Sequence, residues 1–581
     1  MCAIIGGLWL KEKIDGGSYS GIYTNPLDYE IFIQLLRSSG NRGHESVGAY
    51  LEGSNQLLCN LRSLGTVSDF ISDHESKIKK FLDASDLQAF LGHVRYATSS
   101  GDKREGKGSD RNNIHPLSVV SKNYQLRILE NGQTCFNESF HELTDEDIGD
   151  VDGFALNRYG ATSDTSVKGM KMLECIELLS LEEPGSDFNH LLYKCLDKVY
   201  EDTFDNGMFS TLGIIKDKRT DESRFFVMRD GGRPLFYFDL NGYRIFTSES
   251  SPASDLKQKT SFGLVPKNIH KFPPGTFQVY DASTGSLICT GSNEKTKPDC
   301  FFEYQYLMAA NARTYDINSN RVNIGDLRAA MGVQTFREHP DILGLSQDDD
   351  DCIICPAPHS ADLFSRDLDS IGLNVSYDKI LRNHTLRTFI ATDDPEERAR
   401  RADDKFTVSP DVEGRKVIVF DDSLVRYTVA AVLNKKLRSM GAVEVYYMFG
   451  CPPITSPCYG GINTYRKDLA VTIIEAKHGI SASEIGDDYY GTGAHADFEK
   501  ALEYFEHDGA LGKYFGGPVK TDGIGFLSIA GLNKVMDSFN LPPTAQCCVT
   551  GKYPYRFNGI RDGQFIPSAE YTQAIKSKVI A

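Results

Sequence analysis

The sequence predicts an α/β fold in two domains, and three observations support this. The first half alternates short strand patterns, rich in β-branched and aromatic residues, with helical patterns. The second half contains continuous apolar runs typical of buried parallel strands. A polar stretch at Thr290–Pro298 separates the two halves. With 581 residues, the chain is long enough to bury two large cores.

The composition excludes several classes of protein. The chain has 63 Lys and Arg against 80 Asp and Glu, a net charge of −17, whereas nucleic-acid binding requires a concentrated basic surface. No apolar run approaches the roughly 18 residues that span a bilayer, and the apolar start Ala3–Leu10 meets Lys11 and Lys13 too early for a signal peptide. The 13 scattered Cys residues argue against a disulfide framework. We expect a cytoplasmic protein with no nucleic-acid or membrane partner.

The elements of the first half are short strands and amphipathic helices. Strands are predicted at Ala3–Leu8, Gln125–Leu129, Thr211–Ile215, Phe225–Met228 and Tyr243–Thr247. Helical periodicity predicts helices over Asp28–Ser38 and Ala161–Glu182. The turn Phe272–Gly275 and a strand at Val279–Asp281 close this half.

The second half contains a predicted βαβ unit. The buried strand Lys416–Phe420 is followed by Asp421 and Asp422, then by a helix pattern over Tyr427–Met440 and a strand at Val443–Phe449. Open α/β sheets bind ligands at the carboxyl ends of their strands. The paired acids therefore mark a candidate site.

Cys2 directly follows Met1 and enters the first strand. Removal of Met1 would leave a thiol and an α-amino group on one residue, and that amine titrates near pH 8, low enough to act as a base toward the thiol. A lone Cys at position 2 is most often incidental. The weight of the interpretation comes from the polar segments that follow, which are Asn41–Gly48, Gly92–Thr98, Asn113–Leu117, Glu130–Gly132 and Ser163–Thr165.

These segments resemble those of the class II glutamine amidotransferases, and most closely those of the amidophosphoribosyltransferase family. The match continues through Arg229–Leu235, Thr247–Glu249 and Pro274–Gly275, and so covers most of residues 2–280. The resemblance implies an α+β N-terminal-nucleophile domain over 2–285, built as an αββα sandwich. A divergent member of the family is expected.

The resemblance also implies roles for three catalytic residues. The Cys2 thiolate would attack the amide carbon of glutamine and form a tetrahedral oxyanion. The Asn131 side-chain amide and the Gly132 backbone N–H would hold that oxyanion.

Four further residues would bind glutamine in the resembled family. Arg95 would clamp the α-carboxylate, Asp164 would pair with the α-ammonium, and Thr98 and Arg42 would support the pocket. Taken alone, Arg42 and Asp164 would more often form surface ion pairs. The family usually has Gln and Asp at the positions of His44 and Glu45, and His at the position of Glu130; none of these departures removes a catalytic atom.

In the second half, Val417–Val429 resembles the phosphoribosyltransferase signature, which implies a type I phosphoribosyltransferase domain over 299–485. Asp421 and Asp422 would bind the ribose hydroxyls of phosphoribosyl pyrophosphate, and the turn Ser423–Thr428 would hold its 5′-phosphate at a helix N-terminus. A magnesium ion would be bound near Ser360 and the two acids. A capped helix after a buried strand explains the turn but not the paired acids.

Two segments of this half depart from the family pattern. Arg426-Tyr427-Thr428 places Tyr where the family has Gly, and Tyr427 either crowds the phosphate pocket or adds a hydroxyl contact. Arg387 resembles the start of the loop that closes over phosphoribosyl pyrophosphate, but the residues before it differ. Segment 486–520 is interpreted as an insertion, and 521–581 as a C-terminal extension that packs back on the domains.

One branch of the family carries an iron–sulfur cluster on four Cys. Cys300, Cys458 and Cys548 align with three of the ligands, whereas Ala545 occupies the fourth position and Cys547 is out of register. Because a cluster needs four ligands aimed at one point, buried thiols without a cluster are the favoured interpretation.

Three hypotheses remain open. The first is a full amidophosphoribosyltransferase that uses glutamine and phosphoribosyl pyrophosphate, with Mg²⁺ as cofactor. In the resembled family this reaction opens purine synthesis, and the resemblance adds purine nucleotides as feedback inhibitors and a homo-oligomer, dimer or tetramer. The second is a paralogue with an intact glutaminase and a different phosphosugar or other ammonia acceptor. The third is a regulatory homologue with a degraded transferase site.

Overall fold

The computed structural model describes residues 2–10, 29–54, 56–96, 113–134, 163–259, 265–382, 403–425, 428–454, 458, 460–461, 521–555, 560–561 and 564–565. All structural statements concern these residues. The predicted insertion 486–520 lies outside them.

The N-terminal half forms two antiparallel sheets. Its strands are β1 (Ala3–Trp9), β2 (Ser46–Gly53), β3 (Leu58–Leu64), β4 (Leu87–Arg95), β5 (Leu117–Val120), β6 (Tyr124–Thr134), β7 (Gly207–Asp217), β8 (Glu222–Arg229), β9 (Phe236–Leu240), β10 (Tyr243–Thr247), β11 (Lys267–Lys271), β12 (Thr276–Asp281) and β13 (Leu287–Ser292). Seven strands form one sheet in the order β11-β9-β10-β1-β4-β2-β3, and six form the other in the order β13-β12-β8-β7-β6-β5.

Helices cover the outer faces of both sheets. They are α1 (Tyr29–Ser38), α2 (Val67–Ala84), α3 (Asp164–Glu182), α4 (Phe188–Phe204) and α5 (Ser251–Lys259). The alternation along β1 explains the layering, because successive side chains of a strand point to opposite faces. Ala3 and Ile5 pack under α1, α2 and α5, while Ile4 and Leu8 pack between the two sheets. The second sheet buries its outer face against α3 and α4.

The C-terminal half is built on a parallel sheet. Its strands are β14 (Arg313–Tyr315), β15 (Arg321–Asn323), β16 (Cys352–Pro356), β17 (Ile380–Arg382), β18 (Phe406–Val408), β19 (Lys416–Asp421), β20 (Glu444–Phe449), β21 (Gly523–Phe526), β22 (Ile560–Arg561) and β23 (Gln564–Phe565). The parallel sheet has the order β16-β19-β20-β21, and the other strands form pairs. The helices are α6 (Ile324–Arg337), α7 (Pro340–Asp348), α8 (Thr428–Ser439), α9 (Ile529–Ser538) and α10 (Cys547–Thr550).

Both faces of the parallel sheet are buried, as expected for strands that read as continuous apolar runs. Ile418 and Phe420 of β19 face the cluster that contains residues of α6 and α9. Val417 and Val419 face the opposite cluster, which contains residues of α8. Gly441 follows α8 with a φ of +92°, in the left-handed region that ends many helices.

The predicted fold class is confirmed: an αββα sandwich precedes an α/β sheet. Two details differ from the predicted segments. Strand β13 runs to Ser292, past the predicted domain end at 285, and β21 joins the parallel sheet although it lies in the predicted extension 521–581. The described cysteines form no disulfide. Within the described ranges, no helix combines the length and the apolar character that a membrane span requires.

Candidate active sites

Cys2 lies half-buried at the N-terminal end of β1, beside the end of β4. Its Sγ donates a hydrogen bond to the carbonyl oxygen of Tyr96 at 3.6 Å. Burial raises the pKa of the Cys2 thiol, and the nearby chain terminus and the Arg95 guanidinium partly oppose this rise. The thiol is therefore protonated at neutral pH and needs a base before it can attack a carbonyl carbon.

Asn131 and Gly132 lie on β6, opposite Ser210 and Phe209 of β7. The Asn131 side chain is fully buried, and among the described residues neither its Oδ1 nor its Nδ2 has a hydrogen-bond partner. Leaving a buried polar group unsatisfied costs about 1–3 kcal/mol. The orphaned amide therefore favours a ligand that supplies the missing hydrogen bonds.

Gly132 requires its residue type. Its φ is +136°, in the left-handed region, and an added Cβ would lie 2.0 Å from the carbonyl oxygen of Met208. The Asn131 amide and the adjacent glycine backbone are thus the pair of groups expected to hold an oxyanion. β1 packs against β6 across the sandwich, which brings the strand of Cys2 to the strand of Asn131.

Asp164 is the first residue of α3, which begins there because the Ser163 side chain accepts a hydrogen bond from the Ser166 N–H. Its carboxylate accepts hydrogen bonds from the backbone N–H groups of Thr134 and Thr165, both at 2.9 Å. Burial and the Glu130 carboxylate nevertheless raise its pKa to about 6. At neutral pH the group is an anion suited to an ammonium ligand.

The structure brings the two predicted glutamine-binding charges to the nucleophile. Both the Arg95 guanidinium and the Asp164 carboxylate act electrostatically on the Cys2 thiol. Arg95 ends β4 and is buried, opposite Ser46 of β2. A positive and a negative side chain are thus close enough to act on the charge of the thiol, which suits recognition of a zwitterionic amino acid. The predicted residue Thr98 lies outside the described residues.

Arg42 is a buried residue that contacts the backbone of Cys2 and a carboxylate of the C-terminal half. Its Nε donates a hydrogen bond to the carbonyl oxygen of Cys2 at 3.3 Å, and its Nη2 pairs with the Glu303 carboxylate at 2.9 Å. Both side chains are fully buried. Arg42 therefore holds the backbone of the nucleophile and joins it to the C-terminal half.

A second buried contact joins the halves at the same place. Arg233 pairs with Glu303 at 3.3 Å, and its Nε donates to the Gly460 carbonyl oxygen at 2.8 Å. The next residue, Gly461, adopts φ +108°, and a Cβ there would lie 2.9 Å from the carbonyl carbon of Gly132. A segment of the C-terminal half thus packs directly on the predicted oxyanion glycine.

Sequence reasoning missed several of these residues. Arg233 belongs to the segment Arg229–Leu235 that resembles the family, but its pairing with Glu303 joins positions 70 apart and could not be predicted from the sequence. Lys168 was missed although periodicity places it on the buried face of α3, with Met172 and Ile176. A charged residue within this apolar face of the helix could have indicated a buried ion pair.

Two buried histidines also went unassigned. The rings of His93 and His115 stack with centroids 4.3 Å apart. Burial lowers the pKa of His93 to about 3 and that of His115 well below its usual value, so both are neutral. His93 faces Ile4 across the β1–β4 pairing, so these rings form part of the wall behind the nucleophile strand.

The second candidate site lies at the carboxyl ends of β16 and β19. Ser360 Oγ donates to Asp421 Oδ1 at 2.7 Å, and the same oxygen accepts from the Asp422 backbone N–H at 2.8 Å. Ser423 Oγ donates to Asp422 Oδ2 at 2.8 Å. His359, in the turn before Ser360, has a φ of +72°, a conformation of the kind that clusters at ligand sites.

Asp422 is buried, and burial together with the adjacent Asp421 raises its pKa well above the usual range. The guanidinium of Arg328 opposes this rise, while Gln305 Nε2 donates to the Asp422 carbonyl oxygen at 2.8 Å. Burial lowers the pKa of Arg328 itself to about 10. The carboxylates of Asp422 and of Glu249, which lies on the N-terminal half, partly oppose this decrease.

The remaining predicted phosphate-binding residues are only partly placed. Thr428 begins α8, directly after the turn from β19. Arg387, Arg426 and Tyr427 lie outside the described residues. We therefore describe no contacts of the predicted loop at Arg387 or of the altered turn at Arg426 and Tyr427.

The residues of this second site suit magnesium. Carboxylate and hydroxyl oxygens of Asp421, Asp422 and Ser360 are donors that Mg²⁺ uses, usually one or two at a time and together with substrate phosphates. Across the described ranges, no three His, Cys, Asp or Glu side chains are grouped to hold a metal ion by themselves. An ion here would share its coordination with a phosphorylated substrate.

The four cysteines considered for an iron–sulfur cluster do not fit one. Cys300, Cys458, Cys547 and Cys548 are buried in one apolar cluster, and Cys300 forms a backbone bridge with Ala545. Burial and neighbouring thiols raise the pKa of Cys548 well above its usual value. Within the described residues, these thiols are not grouped in a way that would hold one metal ion.

The proteins to which this chain is similar include amidophosphoribosyltransferases. No family model matches the chain. It is 25% identical over 465 residues to an amidophosphoribosyltransferase of Methanothermobacter thermautotrophicus, which covers 78% of this chain and 84% of the relative. It is 25% identical over 484 residues to that of Methanocaldococcus jannaschii, covering 81% of this chain and 83% of the relative.

Solved structures show the same fold. The chain superposes with a TM-score of 0.63 on a glutamine phosphoribosylpyrophosphate amidotransferase from B. subtilis complexed with ADP and GMP, at 17% identity and over 97% of this chain and 99% of that one. A second structure, an allosteric regulatory enzyme of purine biosynthesis, gives 0.62 over 97% and 98%. The resemblance read from the sequence is thereby confirmed.

Proposed function

We propose that this chain, a divergent member of the amidophosphoribosyltransferase family, hydrolyses glutamine at Cys2 and transfers the ammonia to phosphoribosyl pyrophosphate. The products are 5-phosphoribosylamine, glutamate and pyrophosphate. The observation that carries the proposal is the fully buried Asn131 amide, whose two polar atoms have no partner within the described residues. It lies on the strand that packs against the strand of Cys2. The oppositely charged side chains of Arg95 and Asp164 both act electrostatically on the thiol.

The glutaminase half-reaction begins with proton transfer. After removal of Met1, the α-amino group of Cys2 accepts the thiol proton, and the sulfur forms a bond to the glutamine amide carbon. The carbonyl electron pair moves to oxygen, where the Asn131 amide and the Gly132 N–H stabilise the negative charge. Collapse of this intermediate expels ammonia, which takes the proton from the α-ammonium group. Water then hydrolyses the thioester to glutamate and the free thiol.

Substrate recognition follows from charge. Arg95 binds the α-carboxylate through the fork of its guanidinium. Asp164 binds the α-ammonium, and its two backbone hydrogen bonds fix the carboxylate plane at the start of α3. Arg42 holds the Cys2 carbonyl oxygen, so the nucleophile keeps its position while the thiol reacts.

The transfer half-reaction takes place at the carboxyl end of the parallel sheet. Asp421 and Asp422 bind the ribose hydroxyls, and the turn from Ser423 to Thr428 holds the 5′-phosphate at the N-terminus of α8. Ammonia forms a bond to the anomeric carbon as the C–O bond to pyrophosphate breaks, and the leaving group keeps the electron pair. Magnesium, held with Asp421, Asp422 and Ser360, would supply positive charge to the pyrophosphate.

We also propose a cytoplasmic homo-oligomer, dimer or tetramer, that purine nucleotides inhibit. The support for inhibition is the solved relative bound to ADP and GMP. Analytical ultracentrifugation and inhibition by these two nucleotides test both points. Tyr427 favours a second candidate function, a glutaminase that delivers ammonia to another phosphosugar, because a Tyr replaces the glycine expected in the phosphate turn.

The experiment measures pyrophosphate release with magnesium and phosphoribosyl pyrophosphate, using glutamine or ammonium chloride as the nitrogen source. We expect release with both sources from the wild type. The Cys2→Ala variant should lose only the glutamine-dependent release. Glutamate formation without pyrophosphate from the wild type would reject phosphoribosyl pyrophosphate as acceptor and favour the second candidate function.

A further inference from the structure

Behind the glutamine site, a Lys and a Glu form a buried ion pair in the core of the sandwich. Lys168 of α3 contacts the Glu130 carboxylate of β6, and their side chains are 0% and 1% exposed. Thr211 Oγ1 donates to Glu130 Oε2 at 3.0 Å, and the Lys168 ammonium lies 3.7 Å from the ring centroid of Phe209. Both charges are thus removed from water and held by several partners.

This pair is connected directly to Asp164. Thr134 Oγ1 donates to Glu130 Oε1 at 3.1 Å, while the Thr134 backbone N–H donates to Asp164 Oδ2 at 2.9 Å. Lys168 follows Asp164 by four residues on α3, so the two side chains lie on the same face, one turn apart. One residue of β6 therefore links the Glu130 carboxylate to the carboxylate that faces the nucleophile.

We infer that Glu130 and Lys168 are positioning residues that fix the orientation and the charge of Asp164, and that they thereby set the preference for substrates that carry an α-ammonium group. Neither residue touches the reacting atoms. The inference rests on the proposed glutaminase function.

The charges around Asp164 should make the preference for an α-ammonium group depend on pH. The groups that act electrostatically with Asp164 are Glu130 of β6, Lys168 of its own helix and the Cys2 thiol, just before β1. Burial and Glu130 raise the pKa of Asp164 to about 6, and Lys168 opposes that rise. Without Lys168, the negative Glu130 would act alone, and Asp164 would lose its charge at a higher pH.

The test compares hydrolysis of L-glutamine with that of glutaramate, the analogue that lacks the α-amino group. We expect Lys168→Met to lower the ratio of the two kcat/KM values by about tenfold at pH 7, since a charge-assisted contact is weakened. The acid limb of the pH profile for glutamine should move up by about one pH unit. Lys171→Met is the matched control, because it removes an exposed Lys from the same helix and should change neither quantity.

Glu130→Gln provides the opposite test and does not depend on the folding of the first variant. Removal of its negative charge should move the acid limb to lower pH. Equal losses on both substrates, with no shift of the pH profile, would assign the pair a purely structural role and overturn the inference. A wild-type protein that hydrolyses neither substrate would instead reject the proposed function.

Discussion

The two candidate sites differ in how the fold supports them. The glutaminase site is assembled from central strands and a helix start, with Cys2 directly before β1, Arg95 on β4, Asn131 on β6 and Asp164 at the start of α3. The transferase site is assembled where strands pass into turns: Asp421 ends β19, Asp422 follows it, and Ser360 lies in the turn after β16. Strands fix side chains through paired backbone on both sides, whereas turns depend on the ligand and on flanking loops.

The two sites also differ in how far their residues depart from the family pattern. The departures from the family that touch the glutaminase site leave every predicted catalytic atom in place. The departure at Tyr427 falls in the phosphate turn, where backbone must approach the ligand closely. From the sequence we therefore expect an intact glutaminase joined to a transferase with altered substrate affinity.

The largest expected effect concerns the ion pairs that join the two regions. Glu303→Ala would leave Arg42 and Arg233 buried without their carboxylate, which should destabilise the protein by about 3–5 kcal/mol. Urea unfolding followed by the fluorescence of Trp9, the single tryptophan, measures the loss on the N-terminal side. The control is Asp326→Ala, which breaks an exposed pair with Arg366 and should cost at most about 1 kcal/mol. Equal shifts for both variants would contradict a tight junction.

The next largest effect is expected on glutamine hydrolysis. Asn131→Ala should lower kcat for glutamine by about 10²–10³-fold, because an oxyanion donor is removed from a buried site. Ammonia-dependent pyrophosphate release should stay unchanged, since that reaction bypasses the oxyanion. A parallel loss of both reactions would mean that Asn131 supports the fold rather than the transition state.

The pH dependence gives a smaller effect. The pKa of Asp164 is raised to about 6, so its carboxylate becomes neutral as the pH falls through that value. Protonation of the Cys2 α-amino base already lowers glutaminase kcat/KM below about pH 8. Loss of the Asp164 charge should add a further decrease of about tenfold per pH unit below pH 6, as a steady-state pH profile would show. Asp164→Asn should be weakly active and lack only this second decline. An unchanged second decline in that variant would assign the titration to another group.

The smallest effect is expected on the transferase side. Ser360→Ala removes the hydroxyl that donates to Asp421, which should raise KM for phosphoribosyl pyrophosphate by about two- to tenfold. Glutaminase activity without that substrate should not change. No change in KM would place Ser360 outside the binding site.

The features that could be predicted from the sequence are those that depend on residues close together along the chain. The strand after Cys2 and the βαβ unit that contains Asp421 and Asp422 follow from local periodicity and turn chemistry, and element ends agree within about five residues. The Asn131–Gly132 pair was predicted from the resemblance to a known family. The Arg42–Glu303 pair spans 261 positions and could not be predicted, because long-range pairing depends on how the two halves pack. Lys168 was missed because helical periodicity assigns its face to the core without naming a partner.

The most direct measurement is the stoichiometry of glutamate and pyrophosphate formed from glutamine and phosphoribosyl pyrophosphate. Buried contacts through Arg42, Glu303 and Arg233 join the two halves of the chain. Because the proposed transfer requires ammonia to reach the second site without loss to water, we expect close to one pyrophosphate per glutamate. Abundant glutamate with little or no pyrophosphate would contradict a coupled transferase, and would leave the glutaminase with another acceptor.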